Sequence, residues 1–335
     1  MIKKNSLSYS NFAIVILNWN GQKLLEQFLP SVIANSNDAK LYIIDNASTD
    51  NSIGWLNENY PTIHQINLTE NLGYAGGYQK GLTEIDAEFY CLLNSDIEVT
   101  TDWLQPIQQL FKNDTNIAAI QPKIIDFKKQ THFEYAGAAG GLMDKFGYPY
   151  CRGRVFDSIE KDNGQYNDEV SIFWASGACF FIRKNDYWNV GGLDADYFAH
   201  QEEIDLCWRL HNYGKTVYYS GKSTVKHVGG ASLGYGNPRK TFLNFRNSLF
   251  SILKNHKGIS VVWILFIRMV LDGLAGVQFL FKGEIKHLIA VLKSHFSFYS
   301  NIPSLLKKRF KTAKRKRVYN TKSIVFDYFV LNKNL

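Results

Sequence analysis

Cysteine is scarce and badly spaced for structural chemistry. Only Cys91, Cys151, Cys179 and Cys207 occur, 28 to 60 residues apart and with no CxxC pair. That spacing argues against a zinc site and a disulfide framework and fits a reducing compartment. Residues 1–11 are polar and lack the apolar run of a signal peptide. Repeats and low-complexity segments are absent before residue 300. Acidic residues are nearly missing from residues 254–335, which hold 16 Lys/Arg against 3 Asp/Glu, a balance of +13. Residues 1–253 hold 22 against 27, a balance of −5. A basic segment on a mildly acidic body points to an electrostatic partner for the segment and against a nucleic-acid surface on the body.

What remains is a chain that can fold. Its 335 residues suit one large α/β domain plus an appendage, and with 45% apolar and 20% charged residues wholesale disorder is excluded. Aromatics reach 15%, which suits a carbohydrate-handling or membrane-adjacent protein, or simply an aromatic-rich core. Apolar runs at 12–17, 41–44, 63–68 and 89–93 predict strands. Helices are expected around 24–32, through Leu56 with Ser48 or Thr49 as cap, and up to about Ile85. This alternation predicts an α/β fold, a mostly parallel sheet flanked by helices with its ligand crevice at the carboxyl ends of the strands. Residues 120–170 are Gly- and Tyr-rich with weak periodicity, and read as extended strands and loops that suit a mobile lid. Residues 176–182 read as a returning strand and 194–212 as mostly helical.

Several residues could carry chemistry. Asp45 and Asp96 each stand just past an apolar strand, where carboxylates converge and can hold a divalent metal or a nucleotide's polar edge. Taken singly, each is also a good turn or cap residue. Residues 71–77, NLGYAGG, can bring backbone amides to a phosphate or base, or form a turn that needs positive φ. The segment has neither GxGxxG spacing nor a following GKS/GKT, so a P-loop is ruled out. Residues 200–209, HQEEIDLCWR, crowd Glu202, Glu203 and Asp205 among Phe198, Leu206, Cys207 and Trp208. Such carboxylates repel unless a cation or substrate offsets them, and a base with a raised pKa is the expectation. His227 is structural on its own and gains meaning beside a metal that needs a ligand.

In order along residues 11–250, these motifs resemble the family 2 glycosyltransferases, inverting enzymes of the GT-A fold, and particularly their bacterial rhamnosyltransferase-like branch. The matching segments are 16–21 (ILNWNG), 44–50 (IDNASTD), 71–81, 92–96 (LLNSD), 176–178 (SGA), 191–194 (GGLD), 202–209, and His227 with Gly230 and Ser232. The resemblance implies that Asp45 contacts the nucleotide base, with Asn18, Asn71, Gly73 and Asn94 in the same donor pocket. Asp96 would hold Mn²⁺ or Mg²⁺ bridging the donor diphosphate, and His227 would assist there. Ser176, Gly177, Ala178 and Glu202 would lie toward the donor sugar and acceptor, with Glu203 as catalytic base. Three positions depart from the family pattern: Asn94 for the first Asp of the metal element, Glu203 for the usual Asp, and Gln79 for Asn. The first leaves a single carboxylate at the metal.

Residues 259–281 are 23 long, enough to span a bilayer. Arg268 and Asp272 near the centre would cost about 5–7 kcal/mol, against roughly 4–8 kcal/mol from the apolar residues, so insertion is about neutral. A helix in the membrane interface, or packed on the catalytic domain, is the alternative. Residues 307–317 hold eight basic residues in eleven, which suits anionic lipid; nucleic acid is the rival without a recognition fold. The expected organisation is a catalytic domain over 1–253 and a helical, basic, membrane-associating region over 254–335. Cytoplasmic residence at the inner membrane face, a nucleotide-sugar donor and a glycan or lipid-linked acceptor complete the reading. Against it stand a sugar nucleotidyltransferase and a catalytically silent sugar- or nucleotide-binding protein.

Overall fold

A computed structural model describes residues 8–229, 236–309 and 319–332. Strand Phe12–Asn18 (β1) is buried nearly throughout, as a strand covered on both faces must be. Helix Gln22–Asn35 (α1), strand Lys40–Asp45 (β2), helix Ser52–Asn59 (α2), strand His64–Asn67 (β3), helix Gly73–Gly81 (α3) and strand Phe89–Asn94 (β4) follow. β3, β2, β1 and β4 lie side by side, all parallel. Register pairs Asn18 with Asp45 and Leu17 with Asn94, so the residues ending each apolar run meet at one edge. Along β1, Ala13 and Val15 enter one apolar cluster while Phe12, Ile14 and Ile16 enter another. That period of two places α1 and the helix Leu104–Asn113 over one face of the sheet, and α3 and the helix Glu202–Tyr213 over the other.

The chain continues through strand Ile97–Val99 (β5), helix Leu104–Asn113 (α4) and strand Ile117–Asp126 (β6). Four short strands follow, Gly141–Met143 (β7), Pro149–Cys151 (β8), Arg154–Val155 (β9) and Ser158–Ile159 (β10), as a small antiparallel sheet. Glu169–Ile172 (β11), Cys179–Arg183 (β12), helix Lys184–Asn189 (α5), helix Glu202–Tyr213 (α6) and strand Thr216–His227 (β13) complete the main sheet. Its order is β11-β13-β6-β12-β4-β1-β2-β3, with β5 paired to β13. β12 runs antiparallel to both β4 and β6, which makes the sheet mixed.

Three local expectations are corrected. The stretch read as extended strands and loops that suit a mobile lid does hold strands, but its first part belongs to β6, a ten-residue strand inside the main sheet. Buried on both faces, it carries no alternation to betray it. Residues 194–201 are not helical: a 3-10 turn spans Ala195–Tyr197, and Phe198, His200 and Gln201 have positive φ. Backbone in that region cannot continue a right-handed helix. Ser48 and Thr49 do not cap α2, which starts after Asn51, and Ser48 is bound to Asp45 instead.

Helices Pro238–Asn255 (α7), Ser260–Phe281 (α8), Ile285–Lys308 (α9) and Ile324–Phe329 (α10) follow. Asn237 caps α7 by accepting from Arg239 N at 2.9 Å, with Pro238 in the first turn. Residue 253 falls inside α7. The Asn247 side chain of α7 donates to the carbonyls of Tyr197, Ala199 and His200, fixing the turn ahead of α6. α10 returns to the small sheet, where Ile324 packs with Tyr150 and Val155 and its N–H donates to Asp144 at 2.9 Å. α8 alone, among the described residues, is long and apolar enough to cross a membrane. Its Arg268 and Asp272 are buried against the protein, 4.0 Å apart. Gly230, Ser232 and most of the 307–317 basic run lie outside the described residues.

Candidate active site

The parallel strands end in an interlocked polar edge. Asn18 Nδ2 donates to Asp45 Oδ1 at 2.9 Å, and Ser48 donates to both Asp45 oxygens, from Oγ at 2.6 Å and from N at 2.8 Å. Asn46 Nδ2 donates to Asn71 Oδ1 at 3.1 Å and Gly73 O at 3.0 Å, while its Oδ1 accepts from Leu72 N at 3.0 Å. Asn18, Asp45 and Asn46 are all buried. Gly73 has φ +72°, and a Cβ there would stand 2.5 Å from the Phe198 carbonyl, so glycine is required. Asn46 and Ser48, inside the 44–50 motif, are functional candidates to which sequence reasoning gave no site role, Ser48 being expected only as a helix cap.

Beyond β4, Asp96 and His227 meet. Asp96 Oδ1 lies 3.1 Å from His227 Nε2, and Asn94 Nδ2 lies 3.4 Å from the same nitrogen. His227 Nδ1 faces Glu134 Oε2 at 3.4 Å. All three charged side chains are buried. Burial would depress the His227 pKa, yet the hydrogen bonds and charges of Asp96 and Glu134 hold it up to about 10. Glu134 belongs to no motif; only folding the 120–170 stretch against β13 brings it here. Among the described residues, no three His, Cys, Asp or Glu side chains form a ready metal cage. Asp96 supplies one oxygen donor, and His227 would supply a nitrogen donor only by giving up the proton that Asp96 and Glu134 stabilise, a set that would fit a divalent cation able to displace that proton.

The third part is the turn into α6. The Glu202 and Glu203 Oε2 atoms are buried and have no hydrogen-bond partner among the described residues. Burial pushes the Glu203 carboxyl up to about 7. Burial and the neighbouring Glu203 charge drive Glu202 well above the usual carboxylate range. Tyr74 lies beside both, and its hydroxyl donates to Gly177 O at 2.6 Å. Ser176 is committed elsewhere, its Oγ donating to Ala136 O and its N–H to Gln121 Oε1 at 2.8 Å, and Ala178 packs in the core. Asp205 is equally occupied, by Arg209 at 2.8 Å, Lys254 at 2.9 Å and Asn255 at 2.7 Å; against the opposing effect of burial, the Arg209 and Lys254 charges lower its pKa. Ala75 N donates to Phe198 O at 3.1 Å, joining the acidic turn to the Asn71–Gly73 edge.

A family model described as Glycosyl transferase family 2 matches residues 13–191, more than half of the chain, and covers this polar edge and Asp96. The chain belongs to this family. Two curated relatives are each 22% identical to the transferase. The low-salt glycan biosynthesis hexosyltransferase Agl10 of Haloferax volcanii aligns over 83% of this chain and 87% of its own length. The N-acetylglucosaminyl-diphospho-decaprenol L-rhamnosyltransferase of Mycobacterium tuberculosis aligns over 73% and 85%. Among solved structures, GalNAc-T7 with UDP, GalNAc and Mn²⁺ superposes with a TM-score of 0.57 at 15% identity. That match covers 73% of this chain and about half, 48%, of the GalNAc-T7 chain, and shows the GT-A fold. The transferase is thus an enzyme of glycan synthesis, and neither the nucleotidyltransferase nor the silent binding protein is favoured.

Proposed function

We propose that the protein is an inverting glycosyltransferase that moves a sugar from a nucleoside-diphosphate donor to a hydroxyl of a glycan or lipid-linked acceptor at the cytoplasmic face of the membrane. The observation that carries the mechanism is Glu203, whose buried Oε2 has no partner among the described residues and whose carboxyl is pushed by burial up to about 7 at the mouth of α6. A base of that pKa can take the acceptor proton at neutral pH. As the acceptor oxygen bonds to C1, its proton passes to Glu203, and the C1–O bond to phosphate breaks with its electron pair leaving on the diphosphate. One displacement on one face inverts the anomeric carbon, so no second carboxylate is needed.

The other residues bind and orient. Asp45, held rigid by Asn18 and Ser48, presents a carboxylate edge to the nucleotide base, and Asn71 and Gly73 line the same pocket. Asp96 and His227 would hold Mn²⁺ or Mg²⁺, with Glu134 orienting the imidazole from its other nitrogen. Such a cation offsets the negative charge that builds on the leaving diphosphate. Glu202 and the Gly177 backbone stand toward the donor sugar and acceptor. Residues 1–253 are read as the catalytic domain and 254–335 as the membrane-associating region. The relatives named for decaprenol-linked and glycan substrates support this acceptor class.

The test is a donor screen by nucleoside-diphosphate release with Mn²⁺, with Mg²⁺ and with chelator, on wild type and Glu203→Gln, with membrane lipid extract as acceptor source. Metal-dependent release that disappears in Glu203→Gln is expected. Silence with every donor and extract would overturn the reading.

A further inference from the structure

We infer that the α8–α9 hairpin is a docking surface that lies in the plane of an anionic bilayer and does not cross it. This deepens the reading of a membrane-held acceptor and rests on it for its functional meaning. α8 is inverted relative to an ordinary surface helix. Its buried side carries Val261, Leu265, Arg268, Asp272 and Gly276. On the open side Trp263, Phe266, Val270, Leu274 and Val277 are 46 to 69% exposed. Spacings of three and four make these one stripe. α9 repeats the pattern with Ile285, Ile289, Leu292 and Phe296, 44 to 70% exposed. The helices are joined by a short turn at 282–284, and Tyr299 Oη meets Met269 Sδ at 3.0 Å, so the stripes adjoin. Soluble monomers rarely leave contiguous apolar surface of this kind in water.

The buried polar pair decides against a span. Arg268 Nη1 donates to Gly147 O at 2.9 Å, and its guanidinium lies 3.5 Å above the Tyr148 ring. Asp272 Oδ2 faces His295 Nε2 at 3.3 Å. Crossing the bilayer would strip Arg268 of Gly147 and Tyr148 and carry both charges into hydrocarbon. Lying in the interface keeps every partner and covers only the exposed stripe.

Charge selects lipid over a second copy of the chain. Lys257, Lys282, Lys286, Lys293 and Lys307 are exposed along the hairpin and at its ends. Glu284 is the exposed carboxylate among the described residues 254–309. With 16 basic and 3 acidic residues over 254–335, pairing two such faces would oppose like charges. Anionic headgroups neutralise them instead. Docking also orients the site. Lys308 at the end of α9 bridges Asp194 at 2.7 Å and Asp196 at 2.6 Å, and α7 holds the turn that carries Glu202 and Glu203. A lipid-linked acceptor would reach a base anchored to the docked elements.

The full chain is sedimented with vesicles of phosphatidylcholine alone and of phosphatidylcholine with phosphatidylglycerol. Binding to the anionic vesicles is expected, weakened about tenfold or more by Trp263→Glu with Phe266→Glu, since a carboxylate is both unattracted and costly there. On bound protein, Lys257→Cys and Lys282→Cys, at the two ends of α8, should react equally with a thiol reagent that cannot cross the vesicle. Reaction at one end only would mean a span and overturn the proposal. Absence of vesicle binding overturns it too, and a concentration-dependent dimer in that case would identify the second copy as occupant. Nucleoside-diphosphate release with a water-soluble acceptor should persist in the Glu variants. Failure of release with every donor would sink the transferase mechanism without touching the sedimentation result.

Discussion

The polar edge proposed to hold the donor and the turn into α6 are both buried, both polar, and opposite in how their carboxylates are satisfied, although Asn18 Oδ1 at the edge also lacks a partner among the described residues. At the donor edge Asp45 accepts from Asn18 and Ser48, and Asn46 spends its whole amide on Asn71, Leu72 and Gly73. At the turn, Glu202 and Glu203 each keep a buried oxygen without a partner among the described residues. Closed networks hold a shape for a ligand; an open carboxyl stores a desolvation cost that a proton or substrate relieves. The same helix contains both solutions, because Asp205, two residues beyond Glu203, is closed by Arg209, Lys254 and Asn255.

The sharpest way to break the comparison is Glu203→Gln. Turnover should fall about a hundred- to ten-thousand-fold, while thermal melting stays level, because no native hydrogen bond to that oxygen is lost. A fall in melting temperature matching the loss of activity would assign Glu203 to structure. Next comes Asp205→Asn, the closed counterpart. It leaves Arg209 and Lys254 undercompensated in the interior and should cost about 3–5 kcal/mol of stability in denaturant titration. A change under about 1 kcal/mol would show that the network is not closed as described.

Asn46→Ala opens the donor edge. Losing its bonds to the Asn71–Gly73 turn should cost about 1–3 kcal/mol and raise KM for the donor more than it lowers kcat. An unchanged KM would remove the edge from donor binding. The smallest effect is read from pH. A carboxyl with its pKa about 7 is largely protonated below neutrality and so is not a base. kcat/KM should therefore rise with pH through about 7, dropping roughly tenfold per unit on the acid side. An acid limb near the ordinary carboxylate value would mean that Glu203 is not held in the buried state described.

Much of this was legible along the chain. Four apolar runs became β1 to β4, and the residues ending them form the donor edge, because parallel register turns equal positions in each run into neighbours. β6 was not legible as a strand of the main sheet: buried on both faces it has no alternation, so its residues were read only within a general stretch of extended strands and loops. The start of α6 was misread for the opposite reason. Residues 194–201 have helical composition, but the carbonyls of Tyr197, Ala199 and His200 are claimed by Asn247, 47 or more residues away. Local propensity cannot anticipate such a competitor.

The sequence alone determined the α/β class, the place of Asp45 and Asp96 at the ends of apolar strands, the crowding of carboxylates at 202–205 and the basic character of the C-terminal segment, since each is a matter of composition or short spacing. Tertiary structure decided which carboxylates stay open, that Glu134 stands behind His227, and that Arg268 and Asp272 face inward so that α8 shows its apolar side. Those outcomes depend on partners supplied by distant elements, Gly147 and His295 for α8 and Lys254 and Asn255 for Asp205, and burial gives a charge its meaning only once those partners are in place.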